Sequence, residues 1–146
     1  MNTQFAKTPI FFRFEDLRIY HKAIDYVVWA HDSFQEYPSN PHNSFYKRFN
    51  GIAQQIPVYI AEGSAFNKLQ FVEQLKLAKS SVRECLVLTS IAVKCNYISE
   101  EQETDSRNQL MEMTKMLGAL ITSLQKNNDN NYDPQYEEES FHLKTW

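Results

Sequence analysis

The chain is expected to be all-α, an antiparallel up-down four-helix bundle, and three observations point there. Long segments repeat apolar residues at steps of three and four, the spacing of one helix face. Glycine and proline are scarce: three glycines and five prolines in 146 residues, with Pro9, Pro38, Pro41 and Pro134 in stretches that already look like loops. No stretch alternates polar and apolar residues as a half-buried strand does. Helices of about 22–29 residues joined by short connections pack most simply as an up-down bundle.

The chain divides into an arm (1–13), a bundle (14–126) and an acidic tail (127–146). In the arm, Ile10, Phe11 and Phe12 offer apolar anchors to a segment otherwise expected to be loose.

Helix one is expected over about 15–36. Glu15 and Asp16 suit the positive end of its dipole. Tyr20, Ala23, Val27, Ala30 and Phe34 form one stripe, broadened by Leu17, Ile24, Val28 and Trp29. Tyr37-Pro38-Ser39-Asn40-Pro41 then breaks it.

Helix two is expected over about 43–66, with Phe45, Phe49, Ile52, Ile56, Tyr59 and Gly63 as its seam. Pro57 lies inside it and is expected to open one backbone hydrogen bond and bend the helix. Gly51 and Gly63 are expected to permit close helix approach.

Helix three is expected over about 68–96. Phe71, Leu75, Ala78, Val82, Cys85, Thr89 and Ala92 alternate steps of four and three, the seam of a helix packed lengthwise on others. Leu77, Leu86, Leu88, Ile91 and Val93 fall outside that seam. Apolar residues on more than one stripe require a second partner surface, from the bundle or from another copy.

After an Asn96-Tyr97-Ile98 turn, Ser99 and Gln102 fit a capping box for helix four. Leu110, Met113, Leu117, Leu120 and Leu124 carry that helix to about 126, where Asn127-Asn128-Asp129-Asn130-Asn131 stops it.

The charge is unevenly spread. The chain carries a net −3, but the tail alone holds Asp129, Asp133, Glu137, Glu138 and Glu139 against Lys144. The other 126 residues carry 14 basic and 13 acidic side chains, so the body is near neutral rather than strongly basic. The tail is expected to be mobile, with Phe141, Leu143 and Trp146 available to a neighbour.

Catalytic and metal signals are weak. The Glu-x-x-His spacing of a dinuclear bundle site occurs at Glu139 and His142, in the tail, while His21 and Asp25 make a two-ligand fragment at best. No catalytic residue, metal ligand or cofactor site is therefore assigned. Cys85 and Cys95 lie ten residues apart on one helix, about 15 Å, beyond disulfide reach. Both read as small buried apolar residues. No signal peptide and no apolar run long enough for a bilayer is evident, so the expected location is the cytoplasm.

One family resemblance is carried by Phe14-Glu15-Asp16-Leu17, Lys22-Ala23, Ile56-Pro57-x-x-Ile60-Ala61-Glu62-Gly63 and Leu75-x-x-Ala78-x-x-Ser81-x-x-Glu84. In order and spacing these resemble the four-helix-bundle proteins encoded in intervening sequences of bacterial 23S rRNA genes, over roughly 14–125. The resemblance implies a left-handed bundle that assembles into a homopentameric ring. It also implies kinship with accessory proteins of diversity-generating retroelements, which associate with a reverse transcriptase and nucleic acid. The motif residues Pro57, Ala61, Glu62, Gly63 and Glu84 are expected to be structural.

Two sites are weighed from the residues themselves. Glu62 stands late on helix two, where the dipole disfavours an anion, so Lys68 or Arg83 is expected to pair with it. Lys68, Lys76, Lys79, Arg83 and Lys94 fall within a sector of about 80° on helix three. Repeated around a ring they would form a basic belt for RNA or DNA. The bland alternative is a solvated, internally paired face. The function expected is a non-enzymatic, homo-oligomeric scaffold or adaptor that binds itself and a protein or nucleic-acid partner. The alternatives are an RNA-processing enzyme using Glu62 and His21, or a pure protein-interaction module.

Overall fold

The computed structural model describes residues 11–34 and 44–126. A short 3-10 turn, Arg13–Asp16, leads into α1 (Arg18–Phe34). Then follow α2 (Ser44–Ser64), α3 (Lys68–Lys94) and α4 (Glu100–Lys126). No strand occurs among the described residues. The acidic tail, with Glu139 and His142, lies outside them.

Side-chain pairs settle the directions. From Lys79 to Ser90 on α3, partners on α4 fall from Gly118 to Arg107. Gln55 on α2 meets Ser81 of α3, whereas Gly63 meets Gln74 and Phe71. On α1, Lys22 reaches Glu112 and Tyr26 reaches Ser106. Each helix thus runs antiparallel to its neighbour, and α1 closes on α4 to complete the bundle.

Helix ends explain the joints. The Asn67 side chain accepts the Gln70 N–H at 3.0 Å and starts α3. Asn96 takes φ 59°, the left-handed region that asparagine tolerates, and turns the chain after α3. Ser99 and Gln102 then form the expected reciprocal box: the Ser99 N–H donates to Gln102 Oε1 at 2.8 Å, and the Gln102 N–H donates to Ser99 Oγ at 3.1 Å. Glu100, Glu101 and Glu103 occupy the first turn of α4 and Lys126 its last, each suited to the dipole there.

The expected α3 seam is buried in full. On α1 the packed stripe is instead Ile19, Ala23, Tyr26, Ala30, Ser33 and Phe34, while Ile24 and Val28 face solvent. Pro57 is buried and α2 continues through it. Gly63 is a true close-approach position, but Gly51 has open space around it, contrary to expectation.

Across the middle of the core runs a chain of hydroxyls. Thr89 donates to the Cys85 carbonyl at 2.7 Å, which commits its single proton. Ser106 must then donate to Thr89, and Tyr26 to Ser106, each at 2.8 Å. The three buried hydroxyls are satisfied in one direction, tying α1, α4 and α3 together.

Candidate functional site

The outward pole of α3 is apolar. Leu69, Val87, Leu77 and Ile91 are 73%, 60%, 44% and 41% exposed. At about 100° per residue they occupy a sector opposite the packed seam. Glu73 and Glu84, both exposed, lie among them. Of the extra apolar residues expected on this helix, Leu77 and Ile91 are exposed, Leu88 is buried, and Leu86 and Val93 are half-buried. Val87, among the most exposed of the set, is a position the heptad reading passed over, because that reading followed the seam rather than the opposite pole.

The five cations flank this pole but do not form one belt. Arg83 and Lys94 are exposed. Lys76 is exposed and paired with Glu73 at 3.6 Å. Lys79 is half-buried and lies over α4, its Nζ 3.9 Å from where a Cβ on Gly118 would stand. Lys68 departs from expectation most: its amine is enclosed at the α2–α3 joint with no hydrogen-bond partner, so it is not presented to a phosphate.

Arg83 meets a residue that the sequence reading did not single out. Between α3 and α4 lies a cleft of about 250 Å³ lined by Val82, Leu86, Leu110 and Met111, with the exposed Arg83 and Arg107 among its walls. Arg107 is held in place: its Nε lies 3.5 Å from Glu103 and it donates to Ser90 Oγ at 3.1 Å. The helical spacing of Arg107, Met111 and Thr114 was a legible signal, but it falls on the polar side of the α4 seam.

The motif at the end of α2 lies where that helix meets α3. A Cβ on Gly63 would stand 2.7 Å from Gln74 Cβ and 2.9 Å from Phe71 Cδ1, so α2 and α3 touch there. Ala61 is half-buried, and its carbonyl accepts the Ser64 hydroxyl at 2.7 Å. Glu62 is exposed and makes no ion pair with a described residue, so the expected bridge to Lys68 or Arg83 is absent. Water reaches this carboxylate, which removes the need for a cation. Glu84 is likewise exposed.

Nothing joins Glu62 to His21 as an acid–base pair. His21 Nε2 hydrogen-bonds the Glu15 carbonyl, and its ring packs edge-on against Tyr20. No cluster of three or more potential metal ligands occurs among the described residues. Cys85 is fully enclosed; burial first, and then the Glu84 charge, push its thiol up to about 12. It is a poor nucleophile at neutral pH. Cys95, expected to be buried, is exposed because α3 ends at Lys94 and leaves it at the cap. Burial also raises Tyr26 far above the ordinary tyrosine range, with the nearby Cys85 adding to the shift and hydroxyls of Ser106 and Thr89 opposing it.

Fold and surface together define a class: an all-α antiparallel bundle with an apolar core crossed by a buried chain of hydroxyls, an apolar outer helix face and a small apolar cleft edged by two arginines. The chain belongs to the 23S rRNA-intervening sequence protein family, whose model matches residues 15–119. It is similar in fold to a crystal structure from Bacteroides thetaiotaomicron, a protein of unknown function from the S23 ribosomal protein family. That match has a TM-score of 0.65 at 18% identity and covers 70% of this chain and 97% of the other. No curated protein matches it. No helix among the described residues is long and apolar enough to cross a membrane.

Proposed function

We propose that this protein is a non-enzymatic, homo-oligomeric scaffold, assembled as a ring of five copies through the outward pole of α3. The observation that carries this reading is the apolar set Leu69, Leu77, Val87 and Ile91, exposed on a helix whose opposite face is already packed. Surface of this kind marks an interaction site. A second copy is the occupant the chemistry favours, because acidic Glu73 and Glu84 lie on the strip and basic Lys94 borders it, so that opposite charges can complement one another across it. The free thiols of Cys85 and Cys95 suit a reducing compartment such as the cytoplasm. Sedimentation velocity tests the assembly: the native chain is expected as an oligomer, and Val87→Asp with Ile91→Asp as a smaller species of unchanged helicity. A native chain sedimenting as a monomer at micromolar concentration defeats the reading.

A nucleic-acid role for the ring rests on a narrower observation. Arg83 is exposed and makes no ion pair with a described residue, and Arg107 adds a second exposed cation at the same cleft. Repetition around a ring would multiply weak phosphate contacts. Titration with single-stranded RNA across salt concentrations tests it: binding that weakens steeply with salt and with Arg83→Ala supports the role. No binding at low salt leaves a protein-interaction scaffold.

A further inference from the structure

We propose that the α3–α4 cleft is the seat of the chain's own acidic tail, with Glu137-Glu138-Glu139 over the cations at its entrance and Phe141 against its apolar floor. The cleft has two chemistries in a fixed order. Approached from the end of α4, the first groups met are Lys79, lying across α4 at Gly118, and Lys115, which helical spacing puts on the same side as Met111 and Gly118. Arg83 comes next. Among the described residues, Lys79, Arg83 and Lys115 have no carboxylate partner. Beyond them lie Leu86, Leu110 and Met111, the last 52% exposed although it lines a cleft.

The tail carries the complement in the matching order. It leaves α4 at Lys126, runs through an uncharged and weakly acidic stretch, and then presents three consecutive glutamates followed by Phe141 and Leu143. A tail returning along the groove meets the cations with its glutamates before it meets the apolar floor with its aromatic ring.

The reach is ample. Met111 lies fifteen residues before Lys126, about 22 Å along the helix. Phe141 lies fifteen residues after it, and an extended chain of that length spans about 50 Å. Tethering also gives the tail a high local concentration at the cleft, so modest contacts suffice. The outcome is regulatory: the docked tail covers Arg83, one of the cations offered to nucleic acid above, and a competing polyanion would have to displace it.

The test uses the full chain with Cys95→Ser, leaving Cys85 enclosed. Met111→Cys is paired with Phe141→Cys, and mild oxidation is followed on non-reducing gels at low salt and low protein concentration. The control pair places the first cysteine at Val28→Cys, an exposed apolar residue of α1. The expected result is an intramolecular disulfide formed several-fold faster from Met111→Cys than from the control. Arg83→Glu with Lys115→Glu should slow it to the control rate, and Glu137→Lys with Glu138→Lys should restore it. Circular dichroism verifies that each variant is folded. Equal rates for the two pairs, cross-links only between chains, or a rate indifferent to the charge reversals each overturn the proposal. No nucleic acid is present and the yield of intramolecular bond is independent of ring size, so failure here is separate from failure of the scaffold reading.

Discussion

Gly63 and Gln74 hold α2 and α3 in contact: a Cβ on the glycine would stand 2.7 Å from the Cβ of the glutamine, closer than two such carbons approach. The obstruction is rooted next to the α3 backbone, so no rotamer change relieves it. Phe71 Cδ1, at 2.9 Å, closes the other side. Gly63→Ala is therefore expected to destabilise the protein by about 1–3 kcal/mol through overpacking. Gly51→Ala is the matched control, because nothing lies within 4 Å of its added carbon. There the gain in helix propensity should stabilise by about 0.5–1 kcal/mol. Urea midpoints at a fixed chain concentration measure both, and opposite signs are the expected result.

The Ser99–Gln102 box closes the start of α4 with two hydrogen bonds at an exposed joint. Ser99→Ala removes the acceptor of the Gln102 N–H and should cost about 0.5–2 kcal/mol. Gln102→Ala leaves the Ser99 N–H to water and should cost less. Thermal unfolding of the two variants gives the order. Equal losses would mean that the serine hydroxyl is not what starts the helix.

That box, the α3 seam and the positions of all four helices were legible because each is local: a repeat or a three-residue spacing. The phase of α1 was not. Tyr20, Tyr26, Val27, Val28 and Trp29 surround the helix with apolar side chains, so several stripes compete in the sequence. The winning one includes Ile19 and Tyr26 because Ser106 and Phe49 stand opposite Tyr26. Tyr26 and Ser106 are 80 residues apart, beyond any periodicity. The candidate surface divides in the same way. Arg83 could be found from its helical position, whereas its neighbour Arg107 and the enclosure of the Lys68 amine depend on how two helices meet.

The hydroxyl chain makes a directional prediction. Ser106→Ala takes away the acceptor 2.8 Å from the Tyr26 O–H and all but strands this buried donor, with only the Thr89 hydroxyl oxygen left nearby, and should cost about 1–3 kcal/mol. Tyr26→Phe removes the donor and leaves Ser106 still bonded to Thr89, so about 0.5–1.5 kcal/mol is expected. The double variant has no stranded donor. It should be more stable than the summed single losses predict by about 0.5–3 kcal/mol. Simple additivity in the four denaturation curves would show that the proton order derived from Thr89 and Cys85 is wrong.

Alkaline pH tests the enclosure of Cys85. Its thiol is raised from an ordinary value of 9.0 to about 12 in the folded chain. Above pH 9 the unfolded state loses this proton while the folded state keeps it, so the unfolded state binds fewer protons and stability falls as pH rises. The contribution is complete below pH 9 and is lost progressively towards pH 12, at up to about 1.4 kcal/mol per pH unit. Tyr26, also raised by burial, adds a loss of the same sign that begins near the ordinary tyrosine value of 10.0. Cys85→Ala should therefore flatten stability against pH between 9 and 10, where the thiol acts almost alone, and leave the steeper fall above 10 to the tyrosine. A native slope that Cys85→Ala does not change would mean that water reaches the thiol and that the bundle opens around α3.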